Sequence, residues 1–289
     1  MAKGQEIKRR IKSIGSMLQV TKAMELISSI KMRKAQEAAL RSKHYVFESW
    51  RSIIRLSELP ENKDNLFLSD KSEGKILLFV ISSDKGLAGS YNSDTMRRCL
   101  KMIDEYGLEN IDFITMGSKI RKFLQKLGAN IVADFAHGEN VIRFAMISPI
   151  ALIGLQGFGE GKYKKFLTIH THFESTAKMK ATSLQILPIN PSLFEEFQAD
   201  NGSLPQLQFE PSAKEVMDKV IRQSVRALTY QVILESEAAE HAARMIAMKN
   251  ASDAAEDLRD DFQFTFNQMR QASITAELSE ISAGVIAME

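Results

Sequence analysis

The residues that break helices are confined to the middle of this chain: all six prolines and twelve of the fifteen glycines lie between Pro60 and Pro211. Proline lacks the N–H that a helix interior needs and clashes with the preceding turn, while glycine weakens a helix through its backbone freedom. Two long terminal segments are left with almost nothing to stop a helix. From Ser212 to Ala283 there is neither breaker, and that run reaches roughly 105 Å as a helix, against about 30 Å for a compact domain. A rod of that length needs another helix or a partner cavity to cover its apolar side. The segment Ser16 to Leu59, equally free of both breakers, supplies the first. Two rods with a folded middle between them predict an antiparallel intramolecular coiled coil. The plainer alternative is two amphipathic helices packed on a globular core.

The periodicity fits the coiled coil. Ile7, Ile11, Ile14, Leu18 and Thr21 follow steps of four and three, the a and d positions of a heptad. The line passes on to Met24, Ile27 and Ile30 and ends in a patch of Phe47, Trp50, Ile53 and Ile54. In the C-terminal rod Ile221, Val225, Leu228 and Val232 repeat the steps, followed by Ala239, Ala242 and Ile246; alanine at a seam lets two helices approach closely. Further on, Leu258, Phe262, Phe266, Met269, Ile274, Leu278, Ile281 and Val285 make a face with little charge. Such a tip would aggregate if left bare, so it is expected to sit inside something.

Between the rods the period changes. KILLFVIS (75–82), IDFITM (111–116) and IVADF (131–135) read as short buried strands. Helical patterns at 92–105 and from 118 separate them, and this βαβα alternation predicts a parallel sheet flanked by helices, a Rossmann-like arrangement. KKFLTIHTHF (164–173) and TSLQILPI (182–189) read as a possible antiparallel pair, and GLQGFGEG (154–161) as a flexible loop. The expected organisation is a shaft helix at 1–59, an α/β domain at 75–200 and a second shaft helix at 212–286.

The near-neutral total of +2 hides an asymmetry. Residues 1–57 carry 13 Lys/Arg against 4 Asp/Glu, whereas residues 213–289 carry 8 against 13. The rods attract each other, and the basic one keeps an excess for an acidic partner. The acidic second rod weighs against a coiled-coil nucleic-acid binder, the reading that KRRIK (8–12) would otherwise support. No secretory signal or membrane span is expected, and the single cysteine, Cys99, fits a reducing compartment.

The turn SSDKGLAGSYN (82–92) is the tempting site, because a glycine-rich turn between a strand and a helix is where phosphate binds. It lacks the spacing of a phosphate loop and of a dinucleotide fingerprint. A structural turn and a nucleotide-using α/β enzyme therefore both stay open. His170 and His172 alternate on one strand, with only Glu174 near them as a further ligand type, and read as ordinary strand histidines. No catalytic constellation, metal site or cofactor is expected.

Four segments converge on one family. IKRRIKSIGSMLQVTKAMELISSIKMRKAQ (7–36), SSDKGLAGSYN, EHAARMIAMKNASDAAEDL (240–258) and RQASITAELSEISAG (270–284) stand in the order of the gamma subunit of F-type ATP synthase, which the chain resembles along essentially its whole length. The resemblance implies a non-catalytic rotor shaft. It would stand in a ring of three alpha and three beta subunits, with epsilon and the membrane c-ring below, coupling proton-driven c-ring rotation to ATP synthesis on beta. It implies a peripheral position on the cytoplasmic side of a bacterial inner membrane, with membrane association through the complex only and no nucleic acid as partner. Carried over by position, the contacts to beta are Lys22, Met24, Glu25, Lys31, Arg33 and Lys34 on the first helix. Lys85, Gly86, Ala88 and Gly89 at the turn join them, with Arg270, Gln271 and Thr275 on the last helix. Ile120 departs from the family's usual repeated glycine, and Lys43 and His44 stand where Arg-Pro is common.

Overall fold

A computed structural model describes residues 2–136, 144–190 and 209–286; the end of the expected α/β domain, from 191 to 200, lies outside them. The helices are α1 (Ala2–Ser57), α2 (Tyr91–Tyr106), α3 (Ser118–Lys126), α4 (Ser148–Gly159) and α5 (Ala213–Ile286). The strands are β1 (Lys75–Ile81), β2 (Ile111–Met116), β3 (Asn130–Phe135), β4 (Tyr163–Ser175) and β5 (Lys178–Leu187). The chain forms two compact units, one of residues 1–29 with 244–289 and one of residues 30–243.

In the larger unit the five strands lie in the order β3-β2-β1-β4-β5. β1 is parallel to β2 and to β4, β2 is parallel to β3, and β5 closes the edge antiparallel to β4. Successive side chains of a strand point to opposite faces, and β1 feeds two cores in that way. Ile76, Leu78 and Val80 pack with Cys99 and Met102 of α2 and Ile120 and Leu124 of α3. Leu77, Phe79 and Ile81 join the other face, with Ala151 and Phe158 of α4, Trp50 and Ile53 of α1, and Val225 and Leu228 of α5. From 217 to 242, α5 is buried on almost every side, because it meets both a helix and a sheet.

Two expectations are corrected. The segment 154–161 is not a flexible loop: its residues 154–159 form the second half of α4. Its glycines allow close packing, since a Cβ on Gly154 would lie 2.4 Å from the Phe166 ring and one on Gly157 2.4 Å from the Tyr163 ring. The α1 seam does not pass through Ile27 and Ile30, which are 54% and 49% exposed. Its buried positions are Leu18, Thr21, Ser28, Ala35, Ala39, Val46, Trp50 and Ile53. That is a continuing heptad in which small side chains replace large ones, so the facing helix can come close.

The smaller unit pairs its two helix segments antiparallel. Ser252 Oγ donates to Thr21 Oγ1 at 2.8 Å in a buried contact, and Thr21 Oγ1 in turn donates to the Leu18 carbonyl at 3.1 Å. Lys22 lies 3.6 Å from Glu256, and the Arg10 guanidinium stands 5.8 Å over the Phe262 ring. No helix among the described residues is long and apolar enough to cross a membrane.

Candidate functional site

The tempting turn, 82–92, joins β1 to α2, and across the ends of β1 and β2 it also packs onto the start of α3. A helix N-terminus binds anions because its first N–H groups lack partners within the helix. In α3 those groups are taken by the chain itself. Ser118 N–H donates to Asp84 Oδ1 at 2.8 Å, Lys119 N–H to the Ser83 carbonyl at 3.2 Å and Ile120 N–H to Ser82 Oγ at 3.0 Å. Ser118 Oγ adds a bond to the Asp84 carbonyl at 2.8 Å. Gly117, at φ +97°, lets the backbones meet: a Cβ there would fall 2.1 Å from the Ser82 carbonyl oxygen. A carboxylate already occupies the place a phosphate would take, and a second anion beside it would be repelled.

The same turn is tied down at its other end. Ser83 N–H donates to Asn92 Oδ1 at 3.1 Å, Asn92 Nδ2 donates to Ser83 Oγ at 2.7 Å, and Ser83 Oγ donates to the Lys85 carbonyl at 2.6 Å. Between these anchors Lys85, Gly86 and Gly89 are exposed. Ala88 is not: it is 2% exposed, seated with Tyr91 against Ala239 of α5. Leu87, which lies within the exposed turn but was not singled out as a contact, is 64% exposed and held at φ 61°. A large apolar side chain in a left-handed backbone, between two glycine-containing steps, is costly and projects outward. The GLAG spelling was the signal that could have found it.

The other expected contacts are distributed over helix surfaces. On α1, Lys22 is exposed and Met24 and Glu25 are half-buried. Further along, Lys31 is half-buried while Arg33 and Lys34 are exposed. On α5, Arg270, Gln271 and Thr275 are exposed, with Thr275 Oγ1 donating to the Gln271 carbonyl at 2.9 Å. The thirteen residues are divided between the two units, six in the smaller and seven in the larger. Apolar side chains stand bare beside them: Met17, Val20 and Leu26 on α1, and Phe264, Ile274, Leu278 and Ile281 on α5. The side chain of Val285 lies outside the described residues.

Of the remaining ionisable groups, the buried glutamates of α5 were not anticipated, while Cys99 and the two strand histidines were. Burial, reinforced by Glu240, pushes the Glu237 carboxyl up to about 8, with Lys31 pulling the other way. Burial alone pushes the Cys99 thiol up to about 12, so it is an inert apolar filler. His170 is buried and its imidazole is lowered to about 4 by desolvation, which keeps it neutral. His172 meets Glu235 of α5 at 2.7 Å. No cluster of three metal-ligating side chains occurs among the described residues.

An antiparallel helix pair in one unit and a mixed α/β domain in the other, with bare apolar helix faces and a tied, exposed turn, are the parts of a rotary central stalk. The family model described as ATP synthase matches residues 3–288. The ATP synthase gamma chain of Stenotrophomonas maltophilia (strain R551-3) is 36% identical over 292 positions, covering all of both chains. That of Xanthomonas campestris pv. campestris (strain B100) is 35% identical over the same span. Among solved structures, a chain of the Euglena gracilis mitochondrial ATP synthase is similar in fold with a TM-score of 0.67 at 17% identity, covering 99% of this chain and 95% of that one. One from the central stalk and c-ring of the Tetrahymena thermophila enzyme reaches 0.63 at 23%, covering 81% and 99%. The chain belongs to the ATP synthase gamma chain family, and its role is that of the rotor subunit.

Proposed function

We propose that this chain is a non-catalytic shaft that turns inside a ring of three alpha and three beta subunits, with epsilon and the c-ring as its other neighbours. It works on the cytoplasmic side of a bacterial inner membrane and is held there through the complex. Ion-driven rotation of the c-ring turns it, and its unequal faces meet three beta subunits in turn, so that each is driven through a different state. The full-length similarity to ATP synthase gamma chains, at 36% identity, carries the reading.

The surfaces fit the task. Lys22, Arg33 and Lys34 offer exposed positive charge to an acidic lever on beta. Lys31, Met24 and Glu25 complete that face of α1. Lys85, Gly86 and Gly89 present the turn, with Ala88 beneath as its seat, and Arg270, Gln271 and Thr275 meet beta higher on α5. The bare Ile274, Leu278 and Ile281 suit an apolar bearing, where strong directional bonds would resist sliding.

Expression of the chain alone and with its alpha and beta partners tests the reading. The expected result is an inert lone chain that converts alpha and beta into an active ATPase holding one copy of itself. ATPase activity of the lone chain, with no assembly, would overturn it.

A further inference from the structure

Strand β4 is 13 residues long and outruns its parallel neighbour, since the β1 pairing ends at Val80 opposite Ile169. Beyond that point β5 still lines one edge, with Thr171 opposite Ala181 and His172 opposite Lys180. Along the other edge no strand among the described residues pairs with it. Thr171 is buried there, and a buried N–H without a partner is costly. Helix α5 takes the place of the missing strand: Ser236 Oγ accepts the Thr171 N–H at 3.0 Å, and Ser236 itself is fully buried. One residue along each chain, His172 Nδ1 meets Glu235 Oε2 at 2.7 Å. Gln231 Nε2 holds the other oxygen of that carboxylate at 2.9 Å.

We propose that this pair of contacts, Ser236 on Thr171 and Glu235 on His172, is a positioning clamp that fixes the β4–β5 hairpin to the shaft helix during rotation, with a grip that is charge-assisted and weakens in alkali. The inference rests on the rotor reading. A sheet domain that receives torque must pass it to the shaft through contacts that resist sliding, and apolar packing alone is non-directional. The clamp supplies directional bonds at the place where the hairpin leaves the sheet.

The charges around His172 set the sign. Glu235 and Glu174 favour its protonated form, while Lys43 of α1 and partial burial oppose it, and the hydrogen bond to Glu235 is the largest influence. Lys180 lies opposite on β5 and His170 two residues back on β4, neutral through burial. The net effect raises the His172 imidazole above its ordinary 6.5, and the pair with His172 lowers Glu235 despite its burial. The ionic grip is therefore complete between the two, lost upward as His172 deprotonates and downward as Glu235 protonates.

The test reads amide exchange of Thr171 in the full chain, as a protection factor corrected for intrinsic rate, from pH 6 to 9, with β2 amides as the folding control. In the unaltered chain Thr171 protection is expected to fall about two- to fivefold across His172 deprotonation, the worth of a half-exposed ion pair. His172→Lys, cationic throughout, is expected to hold its protection flat, and Ser236→Ala to lose it at every pH. In the assembled enzyme, ion pumping per ATP hydrolysed is expected to drop in Ser236→Ala and to lose its alkaline decline in His172→Lys. Protection in the unaltered chain that ignores pH, or pumping in Ser236→Ala equal to that of the unaltered enzyme, overturns the clamp. Failure of the unaltered chain to assemble at all would instead count against the rotor reading, and the exchange measurement on the full chain would still decide the contact.

Discussion

Replacing Gly157 by alanine tests whether α4 lies as close to the sheet as it does because of its glycines. The new methyl would sit 2.4 Å from Cδ2 and Cε2 of Tyr163, a separation that cannot persist, so the ring must move. Tyr163 has little room: it is 2% exposed, and its hydroxyl donates at 3.1 Å to the buried carboxylate of Asp112. Overpacking a core costs about 1–3 kcal/mol. Pulling the tyrosine from a buried acceptor costs about 1–3 kcal/mol more. Alanine returns about 1 kcal/mol in helix propensity. The net expectation is a loss of about 3 kcal/mol, which at a urea slope of about 2 kcal/mol/M lowers the midpoint by about 1.5 M. Trp50, the only tryptophan, is 1% exposed in the same core as Tyr163, and its fluorescence reports the transition. Gly159→Ala is the control two residues on: nothing lies within 4 Å of its added carbon. That variant should be unchanged or gain up to about 1 kcal/mol. A Gly157→Ala chain as stable as the unaltered one would refute the reasoning.

Glu237→Gln should remove a pH dependence. The folded chain holds Glu237 protonated up to about 8 against an ordinary 4.5, so it binds more protons than the unfolded chain between those values and loses stability as pH rises through them; urea midpoints with equal slopes in both chains would contradict this. Asp84→Ala should cost about 1 kcal/mol by uncapping α3, seen as a lowered melting temperature, and an unchanged one would show the cap to be idle. Deleting the tip from Ile274 onward should leave the Trp50 transition in place while weakening assembly or torque; coupled ATP synthesis at the full rate would remove the tip as a necessary bearing.

The strands were legible because buried parallel strands advertise themselves. The run 111–116 reads as apolar and β-rich, and β2 occupies those same residues. The antiparallel turnback of β5 on β4 was readable from two such runs separated by polar residues. What misled was size. Ile27 and Ile30 look like seam residues and Ser28, Ala35 and Ala39 do not, yet close approach of two helices selects the small ones. Gly154 and Gly157 look like loop residues because their reason for being glycine, two aromatic rings on β4, is more than five residues away in sequence and visible only in space. Ala88 matched a surface motif by position, but its methyl is turned inward as a seat for the turn. Glu237 and Glu240 would be solvated on most helices; only the double coverage of α5 by helix and sheet makes them interior groups.

The bonds that fill the start of α3 bear on the surroundings in which such a stalk turns. Nucleotide levels in a cell swing with its energy state, and an α/β domain with an open anion cradle would feel each swing as a ligand. Here Asp84, Ser83 and Ser82 have closed that door from within. At the start of α3 a passing nucleotide meets backbone groups that the chain's own side chains and carbonyls have already claimed.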